Sequence, residues 1–405
     1  MPFFPESTLV SQRPMTGIPL CGSCGLYKKC KSPKMEVDGL GKRKILIVGE
    51  APGADEDQRG KPFVGRTGKY LRGVLKQYGI CMYKDCWTTN ALICRPPNNA
   101  KPTEDQIDYC HANLTKVIQQ HQPEVIIAVG HAAIASVTKE EWNDSISIMS
   151  RWVGAQIPSQ KYNAWICPIY HPSFVLREVE NAKNGTPIVD MYYQHIKAIS
   201  KIKGRPYKNI PDVKSLVEVI VSNDSHVNEQ LEEFTETGGQ IAFDYETNML
   251  KPGDKGRIIS VGICWEGFRT IAFPWTKGVK KSFQRLMQSE VAKYGHNLKF
   301  EDQWSRANGI SVHNWKWDTM TSAHVLDGRK EICSLGFQAY IHLGIGTYNQ
   351  AVESFLKEKY SYKRNQIKKV DLHDLLLYNG IDAWTTFQLA ESQMKRVNRE
   401  KQIEN

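Results

Sequence analysis

Long apolar runs are missing from this chain of 405 residues. No run approaches the roughly 18 residues that a membrane-spanning helix needs, and the N-terminal segment MPFFPESTLVSQRPMTG lacks the apolar core of a signal peptide. We therefore expect no membrane partner and a location in a reducing cytoplasm. In that compartment the ten cysteines are expected to be ligands or free thiols rather than disulfides.

Internal repeats and low-complexity segments are absent as well, and the composition is that of a globular protein. Hydrophobic residues make up 41% of the chain and charged residues 24%. The length suits two domains of ordinary size. The net charge of +10 mildly favours a polyanionic partner.

The most informative segment covers residues 44–66. It opens with an apolar run at 45–48, which predicts a strand buried on both faces. The run stops at the turn GEAPG, residues 49–53, which an α/β protein would place at the ligand-binding edge of its sheet. The turn alone also fits an ordinary solvated loop. Phe63 weakens that interpretation, because a solvated Pro-Phe-Val-Gly turn has little use for an aromatic ring.

Two further strands in this half lead directly into polar residues. The runs 124–130 and 164–169 predict buried strands; a helix starts near His131 after the first, and His171 follows the second. Asn90 follows two threonines, a position where asparagine is usually a turn former. Strands that alternate with helices predict an α/β domain with a mainly parallel sheet.

Five cysteines of this half form a possible ligand set. Cys21 and Cys24 make a CxxC pair with Cys30 close behind, and Cys94 and Cys110 lie much further along the chain. Four thiolates from two distant places suit either a cubane iron–sulfur cluster or a tetrahedral zinc site. The spacing leaves both open, and Cys30 is the substitute if one of the other four is not a ligand.

Three groups of motifs in this half resemble those of the family-4 (iron–sulfur) uracil-DNA glycosylases. The first group is GEAPG, followed by a Glu-Asp pair and GKPFVGRTG. The second is TNALICRPP and the third is HPSFVLR. The resemblance implies an α/β/α fold with a central, mainly parallel sheet. It also implies a [4Fe–4S] cluster, acting as a structural staple near DNA, on Cys21, Cys24, Cys94 and Cys110.

The resemblance further implies how the protein would bind a uracil that has been flipped out of the DNA stack. Phe63 would stack on the uracil ring. Asn90 would read the polar edge of the ring and reject cytosine, which would leave the amide unpaired. His171 would donate a hydrogen bond to the charge that develops on uracil O2.

Other residues of the same motifs are implied in catalysis or DNA contact. Glu50 would orient the attacking water or stabilise the sugar cation, although Asp55, Glu56 or backbone groups could serve instead. Leu176 would be an apolar wedge in the duplex and Arg177 a phosphate contact. The remaining implied substrate contacts are Gly49, Gly53 and Ser173.

The second half begins after a basic segment with glycine and two prolines, residues 201–212, which predicts a linker between domains 1–203 and 204–405. We expect a helix over 213–222 and then a strand over 240–247. Asp244 and Glu246 are two apart on that strand and so share a face. Two such carboxylates repel each other unless a cation lies between them; a solvated strand face is the alternative.

Three motifs of the second half resemble those of the proofreading 3′–5′ exonucleases. They are DxE at 244–246, NxxF followed by an acid at 297–301, and YxxxD at 378–382 on an apparent helix. Residues 318–320 and 334–343 are also similar to the exonuclease domain of family A polymerases. The resemblance implies a ribonuclease-H-like α/β domain with a mixed sheet.

The exonuclease resemblance implies two Mg²⁺ or Mn²⁺ ions bound by Asp244, Glu246 and Asp382. Glu301 would contribute through water, Tyr378 would position the attacking water, and Asn297 would contact the substrate. The family usually has aspartate where this chain has Glu301. Either a water absorbs the additional methylene, or Asp302 takes the role after a shift in register.

Taken together, the two resemblances are those of the front half of certain bacteriophage DNA polymerases. We therefore expect a DNA-processing protein that excises uracil and proofreads 3′ ends beside a DNA polymerase subunit, in the cytoplasm of a bacterial host if it is phage-encoded. The rival interpretation keeps the exonuclease but makes the first domain a non-catalytic module that grips DNA or holds a polymerase. A zinc protein is a weaker rival.

Overall fold

The computed structural model describes residues 19–146, 148–181, 186–253, 255–346, 348–356 and 364–403. The segment 1–17, tested above for a signal peptide, lies outside these ranges. The described chain divides into two compact units. Residues 19–210 with 340–345 form the N-terminal unit, and residues 211–339 with 346–403 form the C-terminal unit. Within the described ranges, no helix combines the length and the apolar character needed to cross a bilayer.

The N-terminal unit is built on a five-stranded sheet. In chain order its strands are β1 (Ile45–Gly49), β2 (Cys86–Asn90), β3 (Val125–Val129), β4 (Ile157–Ser159) and β5 (Ala164–Ile169). Their order in the sheet is β2-β1-β3-β5-β4. The first three strands and β5 run parallel, and β4 is antiparallel to β5. The predicted α/β fold with a mainly parallel sheet is confirmed.

Helices connect these strands and cover the sheet. They are α1 (Cys21–Cys24), α2 (Ala54–Arg59), α3 (Arg66–Gln77), α4 (Met82–Asp85), α5 (Glu104–His121), α6 (His131–Thr138), α7 (Met149–Trp152), α8 (Pro172–Asn181) and α9 (Pro187–Ser200). Ile45 and Ile47 share one core with residues of α3 and α9. Every residue of β1 is buried, as its unbroken apolar run predicts.

The register of the parallel sheet brings the ends of neighbouring strands together. Gly49, the last residue of β1, pairs with Asn90, the last residue of β2. Residues 128 and 129 of β3 pair with 168 and 169 of β5. Because these strands are parallel, the residues that follow all four of them meet at one edge of the sheet.

The C-terminal unit contains a six-stranded mixed sheet. Its strands are β6 (Val217–Val219), β7 (Gln240–Thr247), β8 (Ile258–Trp265), β9 (Arg269–Pro274), β10 (Ala292–Gly295) and β11 (Trp315–Asp318). Their order is β11-β10-β7-β8-β9-β6. β8 is antiparallel to both neighbours, and the other pairs are parallel.

Seven helices follow α9 along the described chain. They are α10 (Asp224–Thr237), α11 (Lys280–Gln288), α12 (Leu298–Ala307), α13 (Thr319–Leu326), α14 (Leu335–Leu343), α15 (Glu353–Leu356) and α16 (Leu372–Ile403). The long helix α16 lies very close to the sheet of the C-terminal unit. A Cβ atom at Gly262 of β8 would lie 2.3 Å from the Asn379 carbonyl oxygen, and one at Gly380 would lie 2.3 Å from Val217 Cγ1. Glycine at these two positions lets α16 contact the strands directly.

The helix predicted over residues 213–222 is wrong. Residues 213–216 form a single 3₁₀ turn and Val217–Val219 form strand β6. That strand pairs in parallel with β9, with Val217 opposite Thr270. β-branched residues on either side of Glu218 suit a strand, and pairing with the edge of the sheet outweighs the local helical preference.

Candidate active sites

Three residues of the predicted uracil site meet at the end of β1. A Cβ atom added to Gly49 would lie 2.3 Å from Asn90 Oδ1 and 2.9 Å from Phe63 Cζ. The amide and the aromatic ring therefore converge above a backbone position that has no room for a side chain. We call Gly49, Phe63 and Asn90 the strand-end pocket. Its chemistry suits a flat ring with a polar edge.

Phe63 is held in an uncommon backbone conformation. Its φ angle is 55°, a left-handed value that disfavours bulky side chains. A Cβ atom at Gly68 of α3 would lie 2.1 Å from the Phe63 carbonyl oxygen, so the helix packs tightly on this turn. The surrounding structure must hold the ring in place, and strained residues of this kind concentrate at functional sites.

His171 follows β5 at the same edge of the sheet. Its Nδ1 atom accepts a hydrogen bond from the Ser173 backbone N–H at 3.2 Å and lies 2.7 Å from the Ser173 hydroxyl oxygen. This contact assigns the proton of the neutral ring to Nε2. Burial lowers the pKa of His171. The ring is therefore a neutral donor through Nε2 at neutral pH.

Glu50 follows Gly49 and lies against the start of α6. Its Oε1 atom accepts a hydrogen bond from the Ala132 backbone N–H at 3.3 Å. A Cβ atom at Gly130, where φ is 90°, would lie 2.6 Å from the same oxygen, so glycine makes room for the carboxylate. The Glu50 charge opposes the effect of burial on the pKa of His171. The charge of the acid therefore acts on the imidazole.

Glu56, one of the acids considered in place of Glu50, binds backbone groups instead. Its Oε2 atom accepts a hydrogen bond from the Gly53 N–H at 3.1 Å, and its Oε1 atom accepts one from the Gly65 N–H at 2.7 Å. The two oxygens join the turn after β1 to the turn that carries Phe63. Both turns of the strand-end pocket are therefore held by one carboxylate.

The other predicted DNA contacts lie on α8. Ser173 is in its first turn, Leu176 is half-buried and Arg177 is exposed. The Arg177 charge adds to the effect of burial in lowering the pKa of His171. A half-buried leucine beside an exposed arginine suits a wedge and a phosphate contact, and both roles stay predictions.

Four thiols line a cavity in the N-terminal unit. The cavity is lined by Cys21, Cys24, Leu26, Tyr27, Leu92, Ile93, Cys94, Tyr109 and Cys110. Cys94 Sγ accepts a hydrogen bond from the Lys34 N–H at 3.2 Å, and Cys110 Sγ accepts one from Asn113 Nδ2 at 3.5 Å. Sulfurs that accept N–H bonds around an apolar cavity fit the thiolate ligands of an iron–sulfur cluster. Cys30 packs beside this set.

Asp244, Glu246 and Asp382 converge in the C-terminal unit, and we call them the acidic cluster. One ligand oxygen of each lies within 4.8 Å of the others. Burial, and then repulsion by neighbouring acids, raises the pKa of Asp244 and of Glu246 well above the usual range. Burial raises the pKa of Asp382 to about 6. Close oxygen ligands whose charges repel each other fit a divalent cation such as Mg²⁺ or Mn²⁺.

Glu301 lies toward the acidic cluster, and Asp302 has a different partner. Glu301 is only 1% exposed, and its Oε2 atom is buried without a hydrogen-bond partner. Burial and the Asp244 charge raise the pKa of Glu301 well above the usual range. Asp302 forms an ion pair with Arg306 at 2.7 Å. The motif therefore keeps its register, with Glu301 as the acid available to a water or a cation.

A hydrogen-bond chain orients Asp244. Asn379 Nδ2 donates to Asp244 Oδ2 at 2.8 Å and to its carbonyl oxygen at 3.2 Å. Asn379 Oδ1 in turn accepts a hydrogen bond from Ser260 Oγ at 2.9 Å. Asn379 is fully buried and follows Tyr378, whose hydroxyl is hydrogen-bonded to Asp382. The start of the YxxxD motif therefore contacts two of the three acids.

Asp318 fixes the segment around Asn297. Its two carboxylate oxygens accept hydrogen bonds from the backbone N–H groups of Asn297, at 3.1 Å, and Leu298, at 3.2 Å. Asn297 has a φ angle of 71° and precedes α12. The end of β11 thus holds the start of the helix that carries Glu301. A substrate contact by Asn297 stays a prediction.

Sequence reasoning missed Ser260 and Asn379 and considered Glu56 only as a catalytic acid. An asparagine within the YxxxD motif, directly after Tyr378, was a usable signal for Asn379. The spacing from Gly53 to Glu56 is that of a helix capping box, which was a signal for Glu56. Ser260 offered no signal, because its partner depends on where α16 crosses β8.

Comparisons with known proteins relate the N-terminal unit to one family. The profile of the uracil DNA glycosylase superfamily matches residues 39–194. The type-4 uracil-DNA glycosylase of Archaeoglobus fulgidus is 36% identical over 160 residues, which are 38% of this chain and 78% of that protein. The type-4 uracil-DNA glycosylase of Saccharolobus solfataricus is 34% identical over 189 residues, or 42% of this chain and 84% of that protein.

A third relative extends over both units. A DNA polymerase of Bacillus phage SP01 is 24% identical over 409 residues, which cover 91% of this chain. Those residues are 42% of the polymerase, so this chain spans less than half of that relative.

The match to residues 39–194 and the similarity to a phage DNA polymerase place the chain among proteins of DNA repair or replication. At 36% identity over most of a known glycosylase, the relationship is closer than a shared fold. The chain belongs to the uracil-DNA glycosylase superfamily, and its relatives there are of type 4, the iron–sulfur class.

Proposed function

We propose that the N-terminal unit removes uracil from DNA by hydrolysing the N-glycosidic bond. The observation that carries this proposal is the convergence of Asn90 Oδ1 and Phe63 Cζ on the position that a Cβ atom of residue 49 would occupy. A base flipped out of the stack would lie against the Phe63 ring and present its edge to the Asn90 amide. The type-4 relatives support the assignment of that base as uracil.

The groups around the pocket suit the two charges of this reaction. When the bond between uracil N1 and C1′ breaks, its electron pair stays with uracil, and the His171 Nε2–H stabilises the negative charge on O2. The oxygen of a water then bonds to C1′, and its proton leaves to solvent. Glu50, held by the Ala132 N–H, orients this water or stabilises the sugar cation.

We further propose a [4Fe–4S] cluster on Cys21, Cys24, Cys94 and Cys110. When bound, it supplies a cross-link between the start of the unit and the segment 94–110. The thiol-lined cavity and the N–H donors to Cys94 and Cys110 support this assignment. The hydrolysis itself needs only the residues at the edge of the sheet.

For the C-terminal unit we propose 3′–5′ exonuclease activity on DNA. The acidic cluster carries this proposal, with its three ligand oxygens within 4.8 Å of each other. Two divalent cations, when bound, supply an activated water and charge stabilisation of the leaving 3′ oxygen. Asp244, Glu246 and Asp382 hold them, Glu301 contributes through water, and Tyr378 orients the attacking water.

A DNA polymerase is the partner that we propose for this chain. The supporting observation is the similarity to a phage DNA polymerase along 91% of this chain. A polymerising activity beside these two units would supply the 3′ ends that the acidic cluster is proposed to trim.

One oligonucleotide tests both activities. It carries a single internal uracil and a 5′ label, and it is incubated with the full-length chain in EDTA or in Mg²⁺ before treatment with alkali. We expect one cleavage product at uracil in EDTA and a ladder of shortened 3′ ends in Mg²⁺. Asn90→Ala should remove the first and Asp244→Asn the second.

The product in EDTA and the ladder in Mg²⁺ test the two proposals independently. Intact DNA in EDTA with a ladder in Mg²⁺ would overturn the glycosylase proposal in favour of a non-catalytic DNA-gripping module. Uracil cleavage without any ladder would overturn the exonuclease proposal.

A further inference from the structure

Asp382 receives a hydrogen bond from a second tyrosine that none of the three motifs contains. The Tyr348 hydroxyl donates to Asp382 Oδ1. Tyr348 lies between α14 and α15, and its ring stacks on that of Tyr378, with ring centroids 5.8 Å apart and planes inclined by 25°. Two tyrosines from separate parts of the C-terminal unit are therefore hydrogen-bonded to one carboxylate.

The two hydroxyls restrict how Asp382 can turn. An ionised carboxylate has two oxygens with about four lone-pair positions. The Tyr348 hydroxyl occupies one on Oδ1, and the Tyr378 hydroxyl bonds to the same group. A carboxylate held by two donors keeps its remaining lone pairs in a fixed direction. One of its oxygens lies within 4.8 Å of ligand oxygens of the other two acids, where a cation would bind.

The two tyrosines differ in how they are attached. Tyr378 and Asp382 are one turn apart on α16, so the helix itself fixes their relation. Tyr348 reaches the carboxylate from another part of the chain, and its position depends on the stack against Tyr378. Replacing Tyr348 by phenylalanine keeps that stack and removes only the hydroxyl.

We propose that Tyr348 is a positioning residue of the acidic cluster, whose hydroxyl holds the Asp382 carboxylate in the orientation that a divalent cation requires. This inference rests on the proposed exonuclease only for its effect on DNA, because its effect on cation binding is measured without DNA. Groups hydrogen-bonded to metal ligands typically change metal affinity about 10- to 100-fold. For one of two hydroxyls we expect about tenfold.

The first measurement is Mn²⁺ binding to the full-length chain without DNA. The electron paramagnetic resonance signal of free Mn²⁺ reports the unbound fraction. Tyr348→Phe should raise the Mn²⁺ dissociation constant about tenfold. The matched control is Tyr294→Phe. Tyr294 is fully buried in the same unit, and its hydroxyl donates to Glu391 Oε1 at 3.4 Å, outside the acidic cluster. This control should bind Mn²⁺ as the parent chain does.

The second measurement separates positioning from chemistry. The rate of 3′-end removal is followed while Mn²⁺ is increased. Tyr348→Phe should need about tenfold more Mn²⁺ for half of its maximal rate and then reach the parent rate. Tyr378→Phe should stay slow at saturating Mn²⁺, because Tyr378 is proposed to orient the attacking water.

Three results would overturn the inference: unchanged Mn²⁺ binding by Tyr348→Phe, tighter binding, or a rate defect that saturating Mn²⁺ does not restore. Weaker Mn²⁺ binding in a chain that never degrades DNA would support the positioning role and overturn the exonuclease proposal instead. The two failures are therefore distinguishable.

Discussion

The strand-end pocket of the N-terminal unit and the acidic cluster of the C-terminal unit differ in how their polar groups find partners. Around the pocket, backbone N–H groups satisfy His171 Nδ1 and Glu50 Oε1. In the acidic cluster, Asp244 and Asp382 raise the pKa of Glu246, and beside the cluster Glu301 Oε2 has no hydrogen-bond partner. Protein groups satisfy the polar atoms around the first site, whereas the second keeps close carboxylates that fit a divalent cation.

This difference fits what each site is proposed to bind. A base is recognised by neutral donors and acceptors, which a fold can set in place at the end of parallel strands. A phosphodiester is anionic, so acids can approach it only through cations that reverse their charge. The two sites should therefore respond differently to the same perturbations.

The largest effect should come from removing a ligand of the acidic cluster. Asp244→Asn loses one charge that holds the cations, and a loss of about 4 kcal/mol of transition-state stabilisation corresponds to about a thousandfold in rate. We expect this loss in 3′-end removal, with uracil excision unchanged, in assays of both activities on one preparation. An equal loss of both activities would show that the comparison between the sites is wrong.

The next largest effect should come from filling the strand-end pocket. The Cβ atom of Gly49→Ala would lie 2.3 Å from Asn90 Oδ1, so the amide or the base must move. A misplaced reacting group costs about a hundredfold in rate. We expect that loss in kcat/KM for uracil excision. Gly73→Ala is the control, because nothing lies within 4 Å of its added Cβ atom; retained excision by Gly49→Ala would contradict the pocket.

Lowering the pH should reduce 3′-end removal more than uracil excision. Because burial lowers the pKa of His171, its neutral form persists as the pH falls below the ordinary histidine value of about 6.5. The pKa of Asp382 is raised to about 6, so protons compete with cations at higher pH than for an ordinary carboxylate. The pKa values of Asp244 and Glu246 are also raised well above the usual range, so more than one proton competes with the cations. At subsaturating Mg²⁺, 3′-end removal should therefore fall at least tenfold per pH unit below pH 6 while uracil excision persists. Superimposed pH–rate profiles would contradict this.

The smallest effect should come from the hydrogen-bond chain behind Asp244. Ser260→Ala frees Asn379 Oδ1, so the amide that orients Asp244 loses its anchor. Removing such a partner of a metal ligand should reduce 3′-end removal about tenfold at low Mg²⁺. Titration with Mg²⁺ checks this, and Ser215→Ala, which removes an exposed hydroxyl that bonds the Asp212 carbonyl, is the control.

The sequence predicted those site residues whose position depends on local structure. Asn90 and His171 were predicted at strand ends, and Asp244 and Glu246 on one face of a strand, because strand periodicity is readable from residue order. Their places in the fold agree with these expectations, while their roles stay predictions. The four cysteines likewise surround one cavity.

The residues that sequence reasoning missed depend on tertiary contacts. Tyr348 is 34 residues from its partner Asp382, and Ser260 is 119 residues from Asn379. No spacing rule connects such pairs, because the path of α16 over the sheet brings them together. The wrong helix over residues 213–222 has the same origin, since β6 forms only where β9 offers an edge.

The single carboxylate of Glu56 also has a consequence for motion. It holds the amide hydrogens of Gly53 and Gly65, one in each of two turns. Replacing this carboxylate would therefore remove a hydrogen-bond acceptor from both amides and should lower the protection of both against exchange with deuterium. The turn after β1 and the turn that presents Phe63 are thus joined through one side chain.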